Sequence, residues 1–200
     1  MTIAVFASDE QWEEIKAISS AIDFIRLKKV NNREQGTAAY FILDKINEFD
    51  FNTENAPVFI NAVSSTLASL GTPANTIRIN AWKGFLKNDT WETTGIITKN
   101  AAAVLSALNK NIISVPDEPG FISARIIAMI INEAYFALGE KVSSKKEIDT
   151  AMKLGTNYPY GPFEWGEMIG IKNIFSLLDI LSRTDKRCIP APLLTEEATA

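Results

Sequence analysis

The period of the apolar residues changes near residue 116, and that change constrains the fold more than any other feature of the chain. Before it, short apolar or β-branched runs at 3–7, 24–27, 38–43, 57–62 and 76–81 are separated by polar connections, the signature of strands. Further strands are expected at 93–98 and 111–115. Trp12, Ile15 and Ile18 recur at helical spacing behind Ser8, and Asn100 is expected to cap an alanine-rich helix over 101–108. Strands alternating with helices predict an α/β sheet, mainly parallel and covered on its faces.

After Pro119-Gly120 the helical period takes over. Helices are expected at 121–138, stopped by Gly139, and at 147–154, started by the capping box Ser144 to Glu147 and ended by Gly155. A rigid turn follows at 157–162, then helices at 163–169 and 173–182, and a loosely held tail from 190 to 200. The chain is thus expected to form two domains, α/β over 1–116 and all-α over 117–200. The apolar run 121–138 contains Arg125, Asn132 and Glu133, which a bilayer would not accept, so it is expected to be a core helix.

Charge and rare residues narrow the function. A net charge of −4 and a pI near 5.0 give no basic footprint for nucleic acid or an anionic membrane. One cysteine, Cys188, and an N-terminus without signal-peptide character fit a cytoplasmic protein. The chain has no histidine. Proton transfer near neutrality must therefore use another group, and a metal site is not expected.

The string Ile148-Asp149-Thr150-Ala151-Met152-Lys153-Leu154-Gly155, followed by Tyr158-Pro159-Tyr160-Gly161-Pro162-Phe163-Glu164, resembles the helix-turn-helix segment of 3-hydroxyacyl-CoA dehydrogenases. Upstream, Asp117-Glu118-Pro119-Gly120-Phe121-Ile122-Ser123-Ala124-Arg125 is similar to that family's domain junction, Asp-x-Pro-Gly-Phe-Ile-x-Asn-Arg. The resemblance implies a Rossmann-like N-terminal domain followed by a helical domain that pairs with its copy in a homodimer. It also implies an acyl-CoA as ligand and NAD as cofactor of an active member.

In a dinucleotide-binding fold the first strand is followed by closely spaced glycines that let the pyrophosphate approach a helix N-terminus. No glycine precedes Gly36 here, and Ser8-Asp9-Glu10-Gln11-Trp12-Glu13-Glu14 brings four carboxylates instead. They suit the helix dipole and repel a phosphate, so no cofactor is expected.

The resemblance also assigns positions. Asn61-Ala62-Val63-Ser64-Ser65 makes Ser64 the hydroxyl that meets the substrate, or else a helix cap. Ile79-Asn80-Ala81-Trp82-Lys83 puts Asn80 where the catalytic His belongs; an amide can hydrogen-bond to a hydroxyl but cannot take its proton. Glu92 falls at the acid that orients that His, and Ala124 at the substrate-binding Asn, with Arg125 kept beside it. The reading is a family member with impaired catalysis that binds acyl-CoA or a protein. Its alternatives are an active oxidoreductase using Glu92 or Lys83 as base, and a structural partner of a full-length family member. A site filled by Trp82 or Trp91 would favour the non-catalytic readings.

Overall fold

Alternation along each strand decides the layout of the first unit. In the computed structural model, which describes residues 1–53 and 56–200, seven strands form one sheet: β1 (Thr2–Phe6), β2 (Asp23–Arg26), β3 (Thr37–Ile42), β4 (Val58–Asn61), β5 (Thr76–Ile79), β6 (Thr90–Thr94) and β7 (Asn111–Ser114). Their spatial order is β2-β1-β3-β4-β5-β6-β7. The strands pair parallel, apart from β6, which runs against β5 and alongside β7.

Successive side chains point to opposite faces, and both faces are covered. Ile3, Val5, Phe41, Phe59, Ile77, Ile79 and Trp91 pack with Ile15 of helix α1 (Asp9–Lys16) and with Ala101, Val104 and Leu105 of helix α3 (Lys99–Ala107). The other face buries Ala4, Tyr40, Ile42, Val58 and Ile60 against Leu27, Val30, Phe49 and Ala62. Burial on both sides is why the central strands are continuously apolar rather than alternating. Between β4 and β5 a short helix, α2 (Leu67–Leu70), is capped by Thr66.

The second unit comprises residues 122–200. It contains α4 (Ser123–Gly139), α5 (Lys145–Thr156), α6 (Pro162–Ile169), α7 (Ile171–Ser182) and α8 (Pro192–Thr199). Helix α4 is its centre, with Ala128, Ile131, Asn132 and Tyr135 buried. The Asn132 amide holds the final segment by donating to Ile189 O at 2.9 Å and accepting from Ala191 N at 2.8 Å. No helix among the described residues is long and apolar enough to cross a membrane.

Several expectations are corrected. The sixth strand starts at Thr90 and ends before Gly95 instead of spanning 93–98. At Gly95 φ is +120° and an added Cβ would stand 2.5 Å from Thr76 O, so the chain must leave the sheet there. The following helix begins at Lys99 with Thr98, not Asn100, as its cap; the Thr98 hydroxyl accepts from Ala101 N. Gly139 and Gly155 lie inside helices. Lys141 and Asn157 take the left-handed conformation after them. The tail from 190 to 200 is not loose, because Pro192 opens α8 and Leu194 is fully buried.

Candidate functional site

The parallel strands deliver their carboxyl ends to one edge of the sheet, and antiparallel β6 brings its amino end to the same edge. Register fixes who meets whom. Arg78 pairs with Thr94 and Ile79 with Thr93, and one step further along this ladder puts Asn80 across from Glu92. Opposite residues of an antiparallel pair share a face, so the two positions are brought together. Ser64 follows β4 at this edge and is half-buried. Thr66 supplies the helix cap, so Ser64 is not the cap.

Asn80 is 6% exposed, and its Oδ1 accepts from Trp82 N at 3.2 Å, closing the turn that leaves β5. Trp91 alternates to the other face of β6, where it packs edge-on to Phe41 and donates to Leu86 O. It therefore does not fill the Glu92 side of the strand. Trp82 is buried edge-on against Phe85. Ala124 belongs to the helical unit, as a fully buried position of α4.

The strand order reverses direction between β1 and β3, the crevice where a doubly wound sheet receives its ligand. Here one side chain spans it. Gln11 Oε1 accepts from Ser8 N, and Nε2 donates to Leu43 O at 3.3 Å and Ala81 O at 2.9 Å, linking the ends of β3 and β5. Asn61 reinforces the bridge by donating to Leu43 O and accepting from Ala81 N. At the helix start, Ser8 Oγ takes the Gln11 amide, and Asp9 pairs with Arg26 at 2.5 Å. Glu14 accepts from Gly84 N at 2.7 Å. A pyrophosphate needs free amides and a neutral approach there. These residues do not fit one.

Behind Asn80, on the same face of β5, Arg78 is fully buried. Nε donates to Ala62 O, Nη1 to Asp117 and Nη2 to Glu118 O, while the guanidinium lies 4.7 Å from the Phe121 ring. Burial by itself would lower the Arg78 pKa and raise that of Asp117. For Asp117 the amides of Leu67 and Ala68, together with Arg78, outweigh burial and hold the carboxyl below its usual range. Gly120 N completes the tie by donating to Val63 O. The loop carrying Ser64 is thereby fixed at both ends.

Gln11 and Arg78 are the positions that sequence reasoning did not single out. The spacing of Ser8 and Gln11 announces a capping box but nothing about Leu43 or Ala81. Arg78 was signalled by a charge inside the otherwise apolar and β-branched strand Thr76-Ile77-Arg78-Ile79.

A doubly wound sheet followed by a helical unit is the architecture this chain shares with dehydrogenases of known structure. Residues 120–198 match the family described as 3-hydroxyacyl-CoA dehydrogenase, C-terminal domain. The chain is 43% identical over 103 residues to 3-hydroxyadipyl-CoA dehydrogenase of Escherichia coli, covering 50% of this chain and 22% of the relative. It is 36% identical over 112 residues to 3-hydroxybutyryl-CoA dehydrogenase of Clostridioides difficile, covering 54% and 40%. Each alignment thus spans less than half of the relative's length. In structure, the chain superposes on (S)-3-hydroxybutyryl-CoA dehydrogenase from Ralstonia eutropha with a TM-score of 0.69 at 21% identity, over 98% of this chain and 92% of the other. An Escherichia coli 3-hydroxybutyryl-CoA dehydrogenase matches at 32% identity and a TM-score of 0.60, over 70% of this chain and 31% of that one. Residues 120–198 thus carry the C-terminal domain of the 3-hydroxyacyl-CoA dehydrogenase family, and the chain shares the fold of the Ralstonia eutropha protein along its length.

Proposed function

We propose that this chain is a family member of acyl-CoA metabolism that binds an acyl-CoA in a reducing cytoplasm without acting as an NAD-dependent dehydrogenase. The observation that carries the reading is Gln11, whose amide is fully engaged across the crevice where a dinucleotide would lie. Asn80 across from Glu92 supports it from the other side, because the pair keeps hydrogen-bonding capacity but has no group to accept a proton at neutral pH in the manner of imidazole. Ser64, half-buried beyond β4, is the hydroxyl that this reading assigns to a ligand's oxygen.

Self-association through the helical unit belongs to the same reading. Ile122, Ile126 and Ile130 recur at helical spacing, and the first two are at least half exposed, an apolar stripe suited to a second copy. Two titrations test the binding reading: calorimetry with acetoacetyl-CoA should show saturable binding, and NADH fluorescence should not change on mixing. Micromolar NADH binding would reverse the cofactor part, and absence of acetoacetyl-CoA binding would remove the ligand part.

A further inference from the structure

Charge is spread unevenly over the first unit. Arg26, Lys28, Lys29 and Arg33 fall within residues 24–33, which contain no acid, although the whole chain carries a net charge of −4. Register fixes where they emerge. Strand β2 runs parallel to β1 with Arg26 level with Val5, and Phe6 is level with Ile42 of β3. The segment after Arg26 therefore leaves the sheet at the edge that also carries Ser8, Leu43 and Ser64.

The four cations are not equivalent. Arg33 is committed to the fold, donating to Asp50 O and lying 4.7 Å from the Phe49 ring. Arg26 is held by Asp9, by Ala7 O and by the Trp12 ring at 5.7 Å, yet its side chain is still 40% exposed. A guanidinium fixed in this way neutralises Asp9 and offers a planar surface on which a purine can stack. Leu27 and Val30 are anchored in the core, which leaves Lys28 and Lys29 between them exposed. Among the described residues neither lysine has an ion-pair partner.

We infer that the end of β2 binds the 3′-phosphorylated ADP of CoA, with the adenine on Arg26 and the phosphates on Lys28 and Lys29. This placement rests on the acyl-CoA reading above and gives the ligand a direction along the sheet edge. Length supports it. The order β2-β1-β3-β4 puts three strand spacings, about 14 Å, between the end of β2 and that of β4, which Ser64 follows. The pantetheine arm, with its two amides, is about as long as four extended residues, again about 14 Å. An acyl group at Ser64 thus lets the nucleotide reach the lysines. Between the two lies the neutral Gln11 bridge, which an uncharged arm crosses without placing a phosphate at the start of α1.

Calorimetry on the full chain compares acetoacetyl-CoA with acetoacetyl-pantetheine, which lacks the nucleotide. Reversing both charges in Lys28→Glu/Lys29→Glu should weaken acetoacetyl-CoA by about tenfold and leave acetoacetyl-pantetheine unchanged. The same reversal at Lys146 and Lys172, exposed lysines of the helical unit, should change neither. The parent should also prefer acetoacetyl-CoA over its 3′-dephospho form, a preference that Lys28→Glu/Lys29→Glu loses. Equal affinity of the parent and Lys28→Glu/Lys29→Glu for acetoacetyl-CoA, or an equal loss in Lys146→Glu/Lys172→Glu, overturns the placement while acyl-CoA binding stands. A parent that does not bind acetoacetyl-CoA at all overturns both.

Discussion

Arg78 and Asp117, 39 residues apart in sequence, form an ion pair in which the cation is wholly buried and the carboxylate also caps α2. The pair is asymmetric, and the asymmetry can be measured. Asp117→Asn leaves a buried guanidinium without its counter-charge, which typically costs about 3–5 kcal/mol. Arg78→Met removes the buried charge itself and fills much of its space, so it should cost less. Urea denaturation of the two variants should give the lower midpoint for Asp117→Asn; the reverse order would show that packing around Arg78 outweighs charge.

The same pair sets an acid limit. With its folded pKa below the unfolded value of about 3.9, Asp117 contributes stability that is fully present above about pH 4 and is lost as pH falls through the folded value. The stability difference between the parent and Asp117→Asn, measured by urea melts from pH 7 to pH 3, should shrink below pH 4. A difference that stays constant to pH 3 would contradict the depressed pKa.

Gln11 is the other single side chain with several duties. Gln11→Glu keeps the shape and the acceptor for Ser8 N but turns a carboxylate toward Leu43 O and Ala81 O. Ala81 O loses its side-chain donor and Leu43 O keeps only that of Asn61, which should lower stability by about 1–3 kcal/mol. A thermal melt equal to the parent's would mean that the bridge carries no energy.

Restoring imidazole should not restore a dehydrogenase. Asn80→His puts a proton acceptor across from Glu92, yet Ser8, Asp9 and Gln11 still occupy the start of α1. Acetoacetyl-CoA reduction with NADH is expected to stay at background for both the parent and Asn80→His. Turnover by either would establish a working cofactor site.

Helix α8 supplies a stability test in the other unit. Leu194 is fully buried, so Leu194→Ala should cost about 2–5 kcal/mol through lost burial and the cavity left behind. Little change in the denaturation midpoint would return the segment to the status of a loose tail.

Where local pattern governs, the sequence was legible. Ser8, Ser144 and the turn before Pro162 start α1, α5 and α6 as their side chains and ring predict. It misled where apolar residues continue past a backbone constraint: Ile96 and Ile97 extend the strand-like run, yet Gly95 ends β6 and Thr98 begins a helix. The tail was misread as a loosely held terminus, whereas Pro192 occupies the first turn of a helix, where its missing N–H costs nothing, and Leu194 is buried. Within the site, Ser64, Asn80 and Glu92 were reached by family resemblance. The Gln11 contacts, 32 and 70 residues distant, follow no local period.

The reversed direction of β6 makes the position of Glu92 a matter of parity. Antiparallel pairing assigns faces by counting from a paired residue, so with Arg78 held opposite Thr94 a single residue inserted between Glu92 and Thr94 would turn the carboxylate to the Phe41 side, and a second would turn it back. The connection between β5 and β6 can lengthen or shorten without altering that count, provided the pairing of Arg78 with Thr94 holds. Natural variation around this edge should therefore collect in the connection, and odd-numbered changes within the strand should be the ones that abolish whatever Asn80 and Glu92 do together.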